Sequence, residues 1–289
     1  MNLQTDSKIN KLKSGLYIVS TPIGNLDDIT LRALEILAKS HYILCEDTRV
    51  SKKLLNKYKI KSNLFSNHKF NEKKNLKKFI DILKSKKIVS LISDAGTPTI
   101  SDPGGMLIKE CINNKISVIP IPGPSSPIAA LSVSGFSNKY YFYGFFPESN
   151  SEINKNFGIL SNINCAIIFF ISAKKFNRSV KIIKKYFSDR KILICKEITK
   201  YYEEYFRFNV SELDQNISLK GEITLVLSEK KIENKTSENL SESDKIKIKK
   251  LIKKLSIKEI IDLIKDGKNI QKKEIYNYCL KIKNENKVY

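Results

Sequence analysis

Apolar residues recur along the first half of the chain in two alternating periods. Short runs at 16–20, 42–45, 88–92 and 116–121 have the length and composition of buried strands. Between them lie segments of helical period. Residues 31–39 carry apolar side chains at 31, 34, 37 and 38. Residues 75–84 place Leu76, Phe79, Ile80 and Leu83 on one face. Further helices are predicted at 51–57, 106–113 and 127–134. This alternation predicts parallel βαβ units around a sheet buried on both faces. The pattern breaks over 145–156 and resumes as a second α/β unit, with strands at 166–171, 192–196, 205–210 and 223–227 and a helix at 179–187.

Residues 229–243 are rich in Lys, Glu, Asn and Ser and read as a linker. Beyond them the period is helical to about 284, and Ser256 with Glu259 three residues on forms a capping-box spacing. The expected organisation is an N-terminal α/β domain (1–145), a second α/β domain (146–230), a linker (231–243) and a small helical domain (244–289). A length of 289 residues suits that division.

The longest purely apolar stretch, 165–171, is far short of the roughly 20 residues a spanning helix needs. Residues 1–14 are polar, without a signal-peptide pattern, so the expected location is the cytoplasm. The five cysteines are scattered and form no C-x-x-C pair, and there are only two histidines. Both facts point to reduced thiols and no metal site.

Net charge is +22, which suggests a polyanionic partner. The basic residues are almost all Lys, with only Arg32, Arg49, Arg178, Arg190 and Arg207 as arginines. That bias spreads charge over every surface and weakens the signal. It also marks each remaining Arg as one used for its planar fork. The tail from 231 holds 16 Lys against nine acids. It reads equally as a solvated helical extension or as an RNA-contacting module.

Ligands in parallel sheets bind beyond the carboxyl ends of the strands. The loops there, 21–30, 46–49, 93–105 and 122–126, hold or adjoin seven of the eight prolines. That density of fixed turns predicts a shaped site. In S-D-A-G-T-P-T-I-S-D-P-G (93–104), Gly96 permits close backbone approach, and Asp94 and Asp102 can accept hydrogen bonds. No G-K-[ST] follows, so it is not a phosphate loop, and T-P-I-G-N-L-D-D-I-T (21–30) lacks G-x-G-x-x-G, which argues against an ordinary dinucleotide-type Rossmann fold. Glu46 and Asp47 point in different directions at a strand end; one can face the cleft while the other pairs with Arg49. His68 follows a short apolar run.

These four motifs, 21–30, E-D-T-R at 46–49, 93–104 and P-G-P-S-S at 122–126, occur in order. Together they resemble the ribosomal RNA small-subunit methyltransferase I family of the tetrapyrrole methylase superfamily. The likeness covers about 16–228 and continues more weakly into 255–280. It implies two α/β domains of tetrapyrrole-methylase type with a small helical domain, S-adenosylmethionine in the cleft and a homodimer. The implied reaction is 2′-O-methylation of a cytidine ribose in the decoding region of small-subunit ribosomal RNA, on naked RNA or a 30S particle, with no DNA or membrane partner. Carried over by position, the cofactor residues are Pro22, Asp94, Ala95, Gly96, Thr97, Ile100, Ser125, Ser126, Ile171, Glu222 and Ile223. The candidate catalytic residues are Glu46, Asp47, Arg49 and His68, with no metal ligand.

The chain departs from the family pattern twice. An acidic residue, Ser, Pro, His and Arg are expected where this chain has Ile171, Ser172, Ala173, Lys174 and Lys175. Arg-Gly-Thr is expected where it has Arg207, Phe208 and Asn209. The K-E-I-T-K run at 196–200 is kept. Three other readings share these features: a corrin or sirohaem-precursor methylase, a diphthamide-type protein methylase, and a non-catalytic RNA-binding assembly factor. The first is disfavoured by the E-D-T-R and S-D-A-G-T-P motifs and by the basic tail.

Overall fold

A computed structural model describes residues 12–214, 217, 219–230, 239–266 and 270–285. The chain divides into two compact units, Met1–Lys230 and Lys231–Tyr289.

The first unit contains two five-stranded sheets. The first comprises β1 (Gly15–Val19), β2 (Tyr42–Cys45), β3 (Asn63–Ser66), β4 (Ile88–Leu91) and β5 (Val118–Ile121), in the order β3-β2-β4-β1-β5. Every pairing is parallel. Alternate residues of β1 face opposite cores. Tyr17 and Val19 pack with Ile36, Leu37 and Leu54 of α1 (Leu31–Lys39) and α2 (Thr48–Lys57). Leu16 and Ile18 pack with Phe79, Leu83 and Leu107 of α3 (Glu72–Lys84) and α4 (Gly105–Asn113). Burial on both faces is why these strands read as continuous apolar runs. Asn63–Ser66 is the sheet's edge strand and half-exposed, which is why periodicity missed it.

α3 starts a turn earlier than its apolar period, for a tertiary reason. α4 begins after Gly104, which offers no side-chain cap. The buried Glu72 supplies one, its Oε1 accepting from the amides of Met106 (3.0 Å) and Leu107 (3.2 Å).

α5 (Ser126–Ser132) leaves the first sheet and covers one face of the second. Its Ala130 packs with Ile168, Leu193 and Val226. The second sheet holds β6 (Tyr140–Phe145), β7 (Ala166–Ser172), β8 (Lys191–Lys196), β9 (Glu204–Asn209) and β10 (Glu222–Leu227), in the order β6-β7-β10-β8-β9. Only β6–β7 is parallel. The strand Tyr140–Phe145 therefore belongs to the second sheet, and the change of sheet falls ahead of the expected 145/146 boundary. On the opposite face α6 (Asn150–Leu160) and α7 (Ala173–Phe187) bury Phe157, Phe176, Ile183 and Phe187. α6 escaped the pattern because its first turn is polar, with Ser149 accepting from Glu152 N.

Arg190 is 2% exposed and holds one end of this sheet. Its guanidinium donates to five backbone carbonyls, those of Leu160, Ser161, Ile163, Cys165 and Ser228. A planar fork can serve so many acceptors; an ammonium cannot.

The second unit packs α8 (Glu242–Leu251), α9 (Ile257–Lys265) and α10 (Lys272–Glu285) around Ile248, Ile260, Ile264, Ile275 and Cys279. Capping boxes open α8 at Ser241 and α9 at Ser256. Most of the expected linker, 231–238, lies outside the described residues. Among the described residues no helix is long and apolar enough to cross a membrane.

Candidate active site

The loops after β1, β4 and β5 are tied to one another. Thr21 N donates to Gly96 O (2.9 Å) and Gly96 N to Thr21 O (3.0 Å). Ser20 Oγ and Thr97 Oγ1 lie 2.9 Å apart, and Thr97 Oγ1 also donates to Pro124 O (3.2 Å). The loop after β4 is contorted. Gly96 and Gly104 take positive φ (78° and 120°), and so do Thr99 (70°) and Ser101 (73°). For a β-branched residue that conformation is strained, and such strain gathers at functional sites.

These loops form one wall of a cavity of about 400 Å³, a size suited to a small-molecule ligand. Asp94, Ala95, Gly96, Thr97, Ile100, Ser125 and Ser126 line it from the first half, and Ile171, Glu222 and Ile223 from the second. Pro22 does not line the cavity. Its neighbour Ile23 does. Sequence reasoning missed most of the opposite wall: Phe145, Phe170, Cys195, Glu197, Ile198, Lys200 and Thr224; Asp102, singled out as an acceptor, lines the near side. Burial pushes the Cys195 thiol up to about 12, so it packs as an inert side chain.

The turn between β8 and β9 closes that wall against the first loop. Asn25 N donates to Thr199 Oγ1 (3.0 Å). Glu197 accepts from Glu222 N (2.7 Å) and from Lys200 Nζ (3.2 Å), and Lys200 Nζ also reaches Glu222 (2.8 Å). Glu197 (φ 52°) and Thr199 (φ 64°) both take left-handed backbone to make this approach. The only sequence signal was the charged K-E-I-T-K run at the end of β8.

The candidate catalytic residues separate into two groups, neither lining the cavity itself. Asp47 caps α2, accepting from Arg49 N (2.8 Å), and grips the Arg49 guanidinium at 2.7 Å. The Arg49 contacts hold its carboxyl down to about 2, which makes it a poor proton acceptor. Glu46 is different. Burial first, then the charge of Asp94, raises its pKa, while His68 opposes the rise. Asp94 is raised by burial too, and accepts from Asp47 N (3.0 Å). Asp102 is pushed up to about 6 by burial, with Glu46 and Asp94 adding to the rise and Ser93 opposing it. Glu46, Asp94 and Asp102 thus form one acidic cluster, with Asp94 and Asp102 on the cavity wall. His68 Nδ1 accepts from Phe70 N (3.2 Å), which fixes the ring beside Glu46's field.

The departures from the family pattern have local explanations. Ser172 ends β7 and Ala173 begins α7, and Lys175 pairs with Glu148. Arg207 donates to Val133 O (2.7 Å) just past α5, and Phe208 packs against the second-sheet core.

Residues 15–214 match the family of tetrapyrrole (corrin/porphyrin) methylases. A ribosomal RNA small subunit methyltransferase I of Rickettsia prowazekii is 41% identical over 284 residues, covering 94% of this chain and 98% of that protein. The protein of the same name from Thermotoga maritima is 44% identical over 219 residues, covering 74% of this chain and 98% of its own. Among solved structures, a uroporphyrin-III C-methyl transferase of Thermus thermophilus complexed with S-adenyl homocysteine superposes with a TM-score of 0.53. It is 13% identical and covers 74% of this chain and 97% of that one. At that identity the likeness is one of fold.

Proposed function

Since the chain belongs to the ribosomal RNA small subunit methyltransferase I family of the tetrapyrrole methylases, we propose that it transfers a methyl group from S-adenosylmethionine to the 2′-hydroxyl of a cytidine ribose in the decoding region of small-subunit ribosomal RNA. The reaction takes place in the cytoplasm, on naked RNA or a 30S particle, and the working form is a homodimer.

The cavity fits this cofactor. Ile23, Ile100, Ile171 and Ile223 offer apolar surface to a flat purine. The strained loop at 93–104 brings backbone groups to the same space. Asp94 and Asp102 supply carboxylates suited to an ammonium and a sulfonium, while Lys200, Glu197 and Glu222 are bound to one another on the opposite wall. When bound, the cofactor supplies an electrophilic methyl on a positively charged sulfur.

The chain's own residues must then orient a weakly nucleophilic hydroxyl and remove its proton. Glu46 is the proposed base, because its raised pKa brings it closer to working pH while Asp47 is held far below it. Asp102, pushed up to about 6, titrates in the field of the same acidic cluster. Arg49 is 86% exposed at its side chain and presents the rest of its fork to an RNA phosphate. The observation that carries this reading is the acidic cluster beside a cavity built from both halves of the unit. Its test is single-turnover methyl transfer by Glu46→Gln with cofactor affinity measured in parallel. A rate near that of the parent would remove Glu46 from the mechanism.

A further inference from the structure

The turn that closes the cavity also carries two tyrosines outward. Tyr201 is 93% exposed and Tyr202 69%, with ring centroids 5.0 Å apart in an edge-to-face pair. On a surface this rich in Lys, two successive aromatic rings in solvent need a reason. Their support is rigid. Glu203 accepts from Thr199 N (2.8 Å) and from the Tyr205 hydroxyl (2.6 Å), so the turn is held from both sides of the pair. Glu197, Ile198 and Lys200, immediately before them, line the cavity. The rings thus sit in the same strained turn as residues that line the site.

Resting on the proposed RNA reading, we infer that Tyr201 and Tyr202 form a stacking platform for unpaired bases of the substrate RNA beside the nucleotide being methylated. Three observations favour this occupant. The rings directly follow Lys200, which lines the cavity. The chain's net charge of +22 favours a polyanion. Base stacking on a tyrosine face needs no hydrogen-bond partner, and neither ring packs into its own core. The platform holds the RNA strand; it takes no part in bond making.

The experiment compares the parent protein with Tyr201→Ala/Tyr202→Ala and Tyr201→Phe/Tyr202→Phe on the same RNA. The alanine pair raises KM for RNA by about 5-fold or more, with kcat and S-adenosylhomocysteine affinity within 2-fold, and the phenylalanine pair restores KM. The chain has no tryptophan. Tyr202→Trp therefore gives a single indole, whose emission is quenched by the single-stranded substrate segment and not by the same sequence in duplex. An unchanged KM in the alanine pair overturns the platform. So does failure of phenylalanine to restore it, or a loss of self-association in the alanine pair by sedimentation, which assigns the rings to a second copy. If the parent itself does not methylate RNA but binds cofactor, the underlying functional reading fails instead.

Discussion

Gly24 is where the first loop meets the turn of the opposite wall, and a single methyl group there tests how the cavity is closed. A Cβ at Gly24 would lie 2.5 Å from Lys200 Cγ, 2.6 Å from Thr199 Oγ1 and 2.9 Å from the backbone oxygen of Ile198. Lys200 Cγ lies near the root of its side chain and the Ile198 oxygen is backbone, so neither yields without moving the turn. Gly24 does not take positive φ, so alanine carries no backbone penalty and the effect is steric. The turn must retreat by roughly half an ångström or more to reach ordinary contact, loosening the 3.0 Å bond from Asn25 N to Thr199 Oγ1. Overpacking of this kind costs about 1–3 kcal/mol. Expressed wholly in binding, that is about 5- to 150-fold in cofactor affinity. Calorimetric titration of Gly24→Ala with S-adenosylhomocysteine measures it, and a 10-fold weaker Kd is expected. Gly158 is the control, since it lies in α6 with nothing within 4 Å of its Cβ position. Gly158→Ala should bind like the parent and gain about 0.5–1 kcal/mol from helix propensity. A Gly24→Ala protein with parental affinity would refute the closure of the wall by this turn.

Other expectations follow from the same geometry. Asp102 has a folded pKa of about 6, above its unfolded value, so its protonated form favours the fold and that contribution disappears as pH rises from about 4 through 6. Asp102→Asn should therefore gain stability relative to the parent as pH rises across that range, read by urea titration; a pH-independent difference would contradict the raised pKa. Methyl transfer should rise with pH as the acidic cluster ionises, and the Asp102→Asn profile should shift. Arg190→Ala leaves five buried or part-buried carbonyls without their donor and should cost about 3–5 kcal/mol in chemical denaturation, with Arg190→Lys recovering only part. RNA affinity should fall steeply between low and physiological salt, as expected where many lysines replace counterions; a flat salt dependence would remove the electrostatic contribution.

The sequence made some features legible and hid others for physical reasons. The helix at Leu31–Lys39 and the strand at Tyr42–Cys45 were readable to the residue, because each buries one well-defined set of apolar positions. The edge strand Asn63–Ser66 was not, because an exposed edge imposes little pattern. β6 was missed because most of its residues are exposed or half-exposed and its register shifts between Phe142 and Gly144. The near wall of the cavity was visible in the density of Gly and Pro after the strands. The far wall depends on how the second sheet approaches, which no local pattern encodes. Lys200 and Glu197 looked like ordinary surface charges until the fold placed them over Gly24 and Glu222. The scarcity of Arg proved informative for two positions. Arg190 and Arg49 each use the fork, one on carbonyls and one on a carboxylate.

The most direct measurement is transfer of tritium from labelled S-adenosylmethionine to small ribosomal subunits from a strain lacking its own methyltransferase of this family, followed by nucleoside mapping. The account predicts label on the ribose 2′-oxygen of a cytidine in the decoding region. Label on a base, on another nucleoside or on protein, or no transfer by a protein shown separately to bind the cofactor, would contradict it.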